Sequence, residues 1–173
     1  HIREVEAIIH MIRCFDSDDI QNVNSSVDPI RDLEIIETEM MLADLESIQK
    51  RLEKNNKKNV GEEQIRILEL AQDCINNDKN ISILNTQFDK KKLNQSGLLT
   101  IKPKIFVCNV DEHSVQNGNK YTENFITKYG IDNTLIVSAD IENQINGLDI
   151  TEKKNYMEMI GLKETGLDML IQK

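Results

Sequence analysis

The stretch Lys102–Glu112 reads Lys-Pro-Lys-Ile-Phe-Val-Cys-Asn-Val-Asp-Glu, an apolar run that stops at an asparagine and meets a carboxylate three residues later. Ile105–Cys108 holds consecutive apolar residues, two of them β-branched. That is too short for a helix and suits a strand buried on both faces. Pro103 donates no backbone hydrogen bond, so it fits only at the start of such a strand. In an open parallel sheet, ligands bind beyond the carboxyl ends of the strands. Asn109 and Glu112 therefore fall where a ligand would be read.

Two other runs fit the same sheet. Ala7–Phe15 is rich in isoleucine and ends in the turn-forming Asp16, Ser17, Asp18 and Asp19, and predicts a buried strand. His10 within it has no catalytic partner nearby and reads as a structural histidine. Thr134–Val137 predicts a third buried strand, ending at Ser138-Ala139.

Between the first two strands the pattern is helical. After a polar loop to Val27, Asp28-Pro29 combines a helix cap with a residue preset for the first helical position. The helix should run to about Lys54. Its first half is apolar over a wide arc (Ile30, Leu33, Ile35, Ile36, Met40, Met41, Leu42, Leu45) and predicts packing against a body. Its second half keeps Ile48 and Leu52, a stripe for one partner helix.

A turn over Asn55–Gly61 and a second helix over Glu62–Ile75 complete an antiparallel hairpin. Shorter helices are expected near Lys90–Gln95, over Lys120–Tyr129 and Ile141–Ile145, from the capping pair Asp149 and Glu152, and from Leu167. The order predicts a right-handed parallel α/β fold with an inserted, coiled-coil-like helical hairpin.

A net charge of -9 argues against a broad nucleic-acid-binding face. Cys14, Cys74 and Cys108 lack the spacing of a disulfide framework and read as buried free thiols of a cytoplasmic protein. No signal peptide opens the chain, no apolar stretch is long enough to span a membrane, and no metal-ligand cluster stands out. The first residue is His1, which reads as entering in mid-helix, as in a piece of a longer protein. Lys50, Arg51, Lys54, Lys57 and Lys58 surround the hairpin turn with Glu53 as the opposing charge. They fit either a solvated helix end or a contact to phosphate.

Asn109 with Glu112, and Ser138 with Ala139, resemble the base-reading layout of P-loop GTPases: Asn-Lys-x-Asp after one strand, Ser-Ala after the next. There the aspartate accepts from the ring N–H and exocyclic amino group of guanine, and the alanine N–H donates to the guanine oxygen. Here the fourth position is Glu112, a methylene longer, and Val110 replaces the lysine. Adenine presents a lone pair where guanine presents its ring N–H, so a displaced carboxylate weakens guanine selection. The expected adenine contacts are the Asn109 amide and Val110 through backbone and side chain. Asp111 is not the equivalent aspartate.

The segments Ile-Arg-Cys-Phe at 12–15, Val-Asp-Pro-Ile-Arg-Asp-Leu-Glu-Ile-Ile-Glu-Thr-Glu at 27–39, Leu-Ala-Asp-Leu-Glu at 42–46, Lys102–Glu112 and Gly-Leu-Lys-Glu-Thr-Gly-Leu-Asp at 161–168 closely resemble the YchF, or Obg-like ATPase, family. The resemblance covers essentially the whole chain. It implies an incomplete P-loop GTPase-type fold: residues 1–27 and 101–173 as the second half of the nucleotide-binding domain, and 28–100 as the inserted arm. It also implies binding of ATP in preference to GTP, Mg²⁺-dependent hydrolysis in the intact protein, and a ribosome as partner of a monomer.

The family's Gly-x-x-x-x-Gly-Lys-Ser/Thr phosphate loop, its Mg²⁺ ligands and its Asp-x-x-Gly switch lie ahead of the matching region, and its TGS domain lies after it. None of those motifs occurs in this sequence. No catalytic residue is therefore assigned here, and a polypeptide of these residues alone is expected to be inactive. The family arm is also longer than this one near Asn55–Gly61. The rival reading is an interaction module whose helical arm binds a ribosome or protein without hydrolysis.

Overall fold

Parallel strands with polar groups at one end organise the α/β part of the chain. The computed structural model describes residues 2–17, 26–53 and 61–173. The strands are β1 (Ile8–Arg13), β2 (Lys104–Asn109) and β3 (Thr134–Val137), in the order β1-β2-β3. The Ile8 N–H donates to Pro103 O at 2.9 Å and the Cys14 N–H to Asn109 O at 2.8 Å, which fixes β1 alongside β2. On the other side Phe106 faces Thr134 and Asn109 faces Val137. β2 is central, with Phe106, Val107 and Cys108 buried, as its unbroken apolar run requires. β1 departs from the expected buried strand: Ile8, His10 and Ile12 point inward, whereas Ile9 and Met11 are 51% and 62% exposed. That alternation is the pattern of a strand with one covered face.

The chain divides into two compact units, one of Ile9–Leu33 and Lys104–Lys173, the other of His1–Ile8 and Glu34–Pro103. The sequence suggests divisions at residue 28 and residue 101; the leading residues instead join the helical unit. There Arg3 pairs with Asp44 at 2.7 Å and the Lys102 ammonium donates to Val5 O at 2.5 Å. Residues 2–6 form turns and bends rather than the helix suggested for the start of the chain.

In the α/β unit, β2 is followed by a 3-10 turn over Glu112–Ser114, and then come α5 (Lys120–Tyr129), α6 (Ala139–Asn146), α7 (Ile150–Met159) and α8 (Gly166–Gln172). Phe125 of α5 packs one face of the sheet with Ile12, Cys14, Leu33, Phe106, Cys108 and Val110. On the other face Val107, Leu135 and Val137 meet Met169 and Leu170 of α8. The Cys14 and Cys108 thiols are wholly buried. A hydrogen bond to Cys108, reinforced by burial, pushes the Cys14 thiol up, so it behaves as a core hydrophobe.

Asn119 caps α5, accepting from the Tyr121 and Thr122 N–H groups, and its amide donates to Cys14 O at 2.7 Å, tying the helix start to the end of β1. Thr165 and Asp168 form a reciprocal cap at the start of α8. Hydrogen bonds from the Thr165 side chain, then its backbone, hold the Asp168 carboxyl below its ordinary range. Its stabilisation is therefore complete above about pH 4, the ordinary aspartate value, and is lost as pH falls through the lowered folded-state value. Hydrogen exchange at the Asp168 amide should accelerate, relative to its intrinsic rate, over that acid window, and Asp168→Asn should remove the pH dependence.

The helical unit takes α1 (Pro29–Leu52) from Glu34 onward, with α2 (Glu62–Asn76), a 3-10 turn (Ile81–Ile83), α3 (Leu84–Gln87) and α4 (Lys90–Ser96). Ile48 sits in a core with Ile67, Leu68, Ala71, Leu84, Leu93 and Leu98, so the narrow apolar stripe of α1 meets α3 and α4 as well as the expected partner helix. Gly97 ends α4 in the left-handed conformation, φ 65°. The wide apolar arc on the first half of α1 is only partly covered: Ile35, Ile36, Met41 and Leu42 are exposed. The expected turn up to residue 60 lies outside the described residues, as do residues 18–25 of the loop before α1. Among the described residues no helix is long and apolar enough to cross a membrane.

Candidate functional site

β2 and β3 end side by side, and the backbone ladder continues one residue past Asn109, where the Val110 N–H donates to Val137 O at 2.8 Å. Asn109 is half-buried and its Oδ1 accepts from the Ala139 N–H at 2.9 Å. That bond fixes the amide orientation, because a backbone donor must face the oxygen. The Nδ2 donors then have no partner among the described residues, which suits a nitrogen or oxygen acceptor on a ligand. Ala139 is exposed.

Val110 requires a correction. Its side chain is 1% exposed and lies in the core with Phe106, Cys108 and Phe125, so the expected side-chain contact with adenine does not form. Its N–H serves the ladder, which leaves the carbonyl as its available group. Ser138 also differs from a surface-presented hydroxyl. It is 1% exposed, it precedes α6 without capping it, and its Oγ has no partner among the described residues.

Glu112 is exposed, and its Oε1 accepts from Gln144 Nε2 of α6 at 2.6 Å. Gln144 Oε1 in turn accepts from the Tyr156 hydroxyl of α7. Asp111 is consumed locally: its carboxylate accepts from the His113 and Ser114 N–H groups at 3.0 and 3.1 Å and starts the 3-10 turn that carries Glu112. Sequence reasoning singled out neither Gln144 nor Tyr156. The one available signal for Gln144 is its place in a helix starting at the end of β3, within reach of the loop after β2.

The proposed contacts at the hairpin end fare unevenly. Lys50 pairs with Glu46 at 2.5 Å, both side chains being largely exposed. Arg51 is turned inward and donates to Ser96 O at 2.5 Å; burial, then the charge of Arg3, pulls its guanidinium below the usual value. A guanidinium so used holds α1 to the end of α4. Lys54, Lys57 and Lys58 lie outside the described residues. Among the described residues no group of three or more His, Cys, Asp and Glu side chains is arranged to hold a metal ion.

No family model matches the chain. Among individual proteins it is 35% identical over 182 residues to the Bacillus subtilis (strain 168) protein named ribosome-binding ATPase YchF, an alignment covering 99% of this chain and 50% of that protein. It is 32% identical over 180 residues to the protein of the same name from Escherichia coli O157:H7, covering 99% and 49%. Over nearly its whole length the chain is thus similar to YchF proteins. It spans about half the length of these curated YchF relatives. The solved structure of the Schizosaccharomyces pombe YchF GTPase superposes with a TM-score of 0.68 at 24% identity, over 98% of this chain and 50% of that one. The strands, their helices and the helical insertion thus share the fold of part of that protein.

Proposed function

We propose that these residues form the base-reading half of a purine-nucleotide site in a YchF-type nucleoside triphosphatase that takes ATP in preference to GTP. The observation that carries this is the hydrogen bond between Asn109 Oδ1 and the Ala139 N–H at the paired ends of β2 and β3. It leaves the amide donors for a purine acceptor such as N7. Glu112, one methylene longer than the aspartate that reads guanine, is engaged with Gln144 instead. Adenine offers no donor that would reward a carboxylate at that position, so holding it aside favours adenine over guanine.

The relatives from B. subtilis and E. coli are named ribosome-binding ATPases, and we extend both properties to the whole protein. The ribosome contact is assigned to the helical unit, the cell compartment to the cytoplasm, and the working form to a monomer. Phosphate handling and Mg²⁺ ligation are assigned to parts of the family that these 173 residues do not include, since no phosphate-loop motif occurs among them. A polypeptide of these residues alone is expected to hold a purine weakly and not to hydrolyse ATP.

Calorimetric titration of the whole protein tests the reading. Asn109→Ala removes the base contact and leaves the Ala139 N–H without its acceptor, so ATP affinity should fall by about 1 to 3 kcal/mol. Unchanged ATP affinity in that variant would remove Asn109 as the reader.

A further inference from the structure

We propose that Gln144, oriented by Tyr156, sets base selectivity by tethering the Glu112 carboxylate away from the purine edge. This rests on the base-reading site proposed above and adds to it the positioning residues that decide between adenine and guanine.

Glu112 stands on the loop beyond β2, three residues after the asparagine that holds the base. An exposed glutamate there has rotamer freedom enough to visit the purine edge unless something holds it. Gln144 supplies the hold at 2.6 Å. A glutamine amide could in principle turn over and present its oxygen, which would repel the carboxylate. The Glu112 carboxylate can only accept and so draws the NH₂ group toward itself, while the Tyr156 hydroxyl donates to Gln144 Oε1 and holds the other end of the amide in place. Tyr156 is itself anchored: it is half-buried and packs against the core of Ile141, Ile145 and Met157.

The tether has opposite meanings for the two bases. Guanine carries a ring N–H and an exocyclic amino group that a free carboxylate could bind together, whereas adenine shows a lone pair and a C–H along the same edge. Holding Glu112 back withholds a reward from guanine and spares adenine a repulsion. Selectivity is thus set by where the carboxylate is kept as well as by its extra methylene.

The test is the ratio of GTP to ATP dissociation constants, measured by titration of the whole protein. Gln144→Ala should move the ratio roughly three- to tenfold toward GTP, the size expected for the net worth of one hydrogen bond between exposed side chains. Tyr156→Phe should move it the same way by less. In a Glu112→Gln background the Gln144→Ala shift should vanish, a dependence that a merely structural role for Gln144 would not produce. An unmoved ratio in Gln144→Ala, with Asn109→Ala still weakening ATP binding, overturns the tether and leaves the site standing. A shift that persists without the Glu112 charge also overturns it. Undiminished ATP affinity in Asn109→Ala overturns the site itself.

Discussion

Replacing Asp44 by alanine is expected to destabilise the helical unit by about 3 to 5 kcal/mol, the range for removing one partner of a buried ion pair. Asp44 lies on α1 with 0% exposure. One carboxylate oxygen accepts from Arg3 Nη1 at 2.7 Å, and the other from the Thr100 N–H and hydroxyl at 2.9 and 2.8 Å. Arg3 continues to Gly97 O and Ala43 O at 2.9 and 3.0 Å. A single carboxylate thus joins the leading residues, α1 and the segment that re-enters the sheet at β2. Alanine would leave a guanidinium and a backbone amide short of their acceptor in a place water enters poorly. Asp44→Asn keeps an oxygen for Thr100 and should cost less. Urea unfolding of both variants checks the ranking, and a loss below about 1 kcal/mol for Asp44→Ala would show that Arg3 finds solvent as readily as a partner.

Asp44 also marks the limit of what the chain discloses before it folds. In Leu-Ala-Asp-Leu-Glu it has the appearance of a polar-face residue of an amphipathic helix, and its burial depends on Arg3 and Thr100, far away in sequence. By contrast β2 and β3 are legible because their apolar runs are bounded by polar residues, and the starts of α1 and α7 because Asp28 and Asp149 cap them locally. Val110 was harder for a definable reason. Strand parity places Phe106, Cys108 and Val110 on one face only if the ladder extends past Asn109, and a polar residue is where a run of apolar ones ends on paper. The exposed arc of Ile35, Ile36, Met41 and Leu42 shows the converse, since periodicity reports an apolar face and not what covers it. At the candidate site, Asn109 and Ala139 could be placed from strand order. Gln144 and Tyr156 could not, because their meeting with Glu112 needs the relative rotation of two helices.

Phe125→Ala should cost the α/β unit about 3 to 5 kcal/mol, the range for emptying a buried aromatic site. Phe125 is 0% exposed. Its ring meets Phe106 edge-on, with centroids 5.5 Å apart at 72°, and lies 4.7 Å from Tyr129. The same cluster holds Cys108 and Val110, the residues on either side of Asn109. Removing the ring would take packing from the strand segment that presents the asparagine amide, so the effect should extend beyond global stability. Hydrogen exchange at Val110, whose N–H is bonded to Val137 O, should quicken more than exchange at amides of α8, which packs through Met169 and Leu170 on the opposite face of the sheet. Phe125→Leu, retaining most of the apolar volume, should recover much of the loss. Equal acceleration on both faces would mean that the sheet opens only as a whole, and that the end of β2 owes its order to the ladder with β3 rather than to the aromatic cluster beneath it.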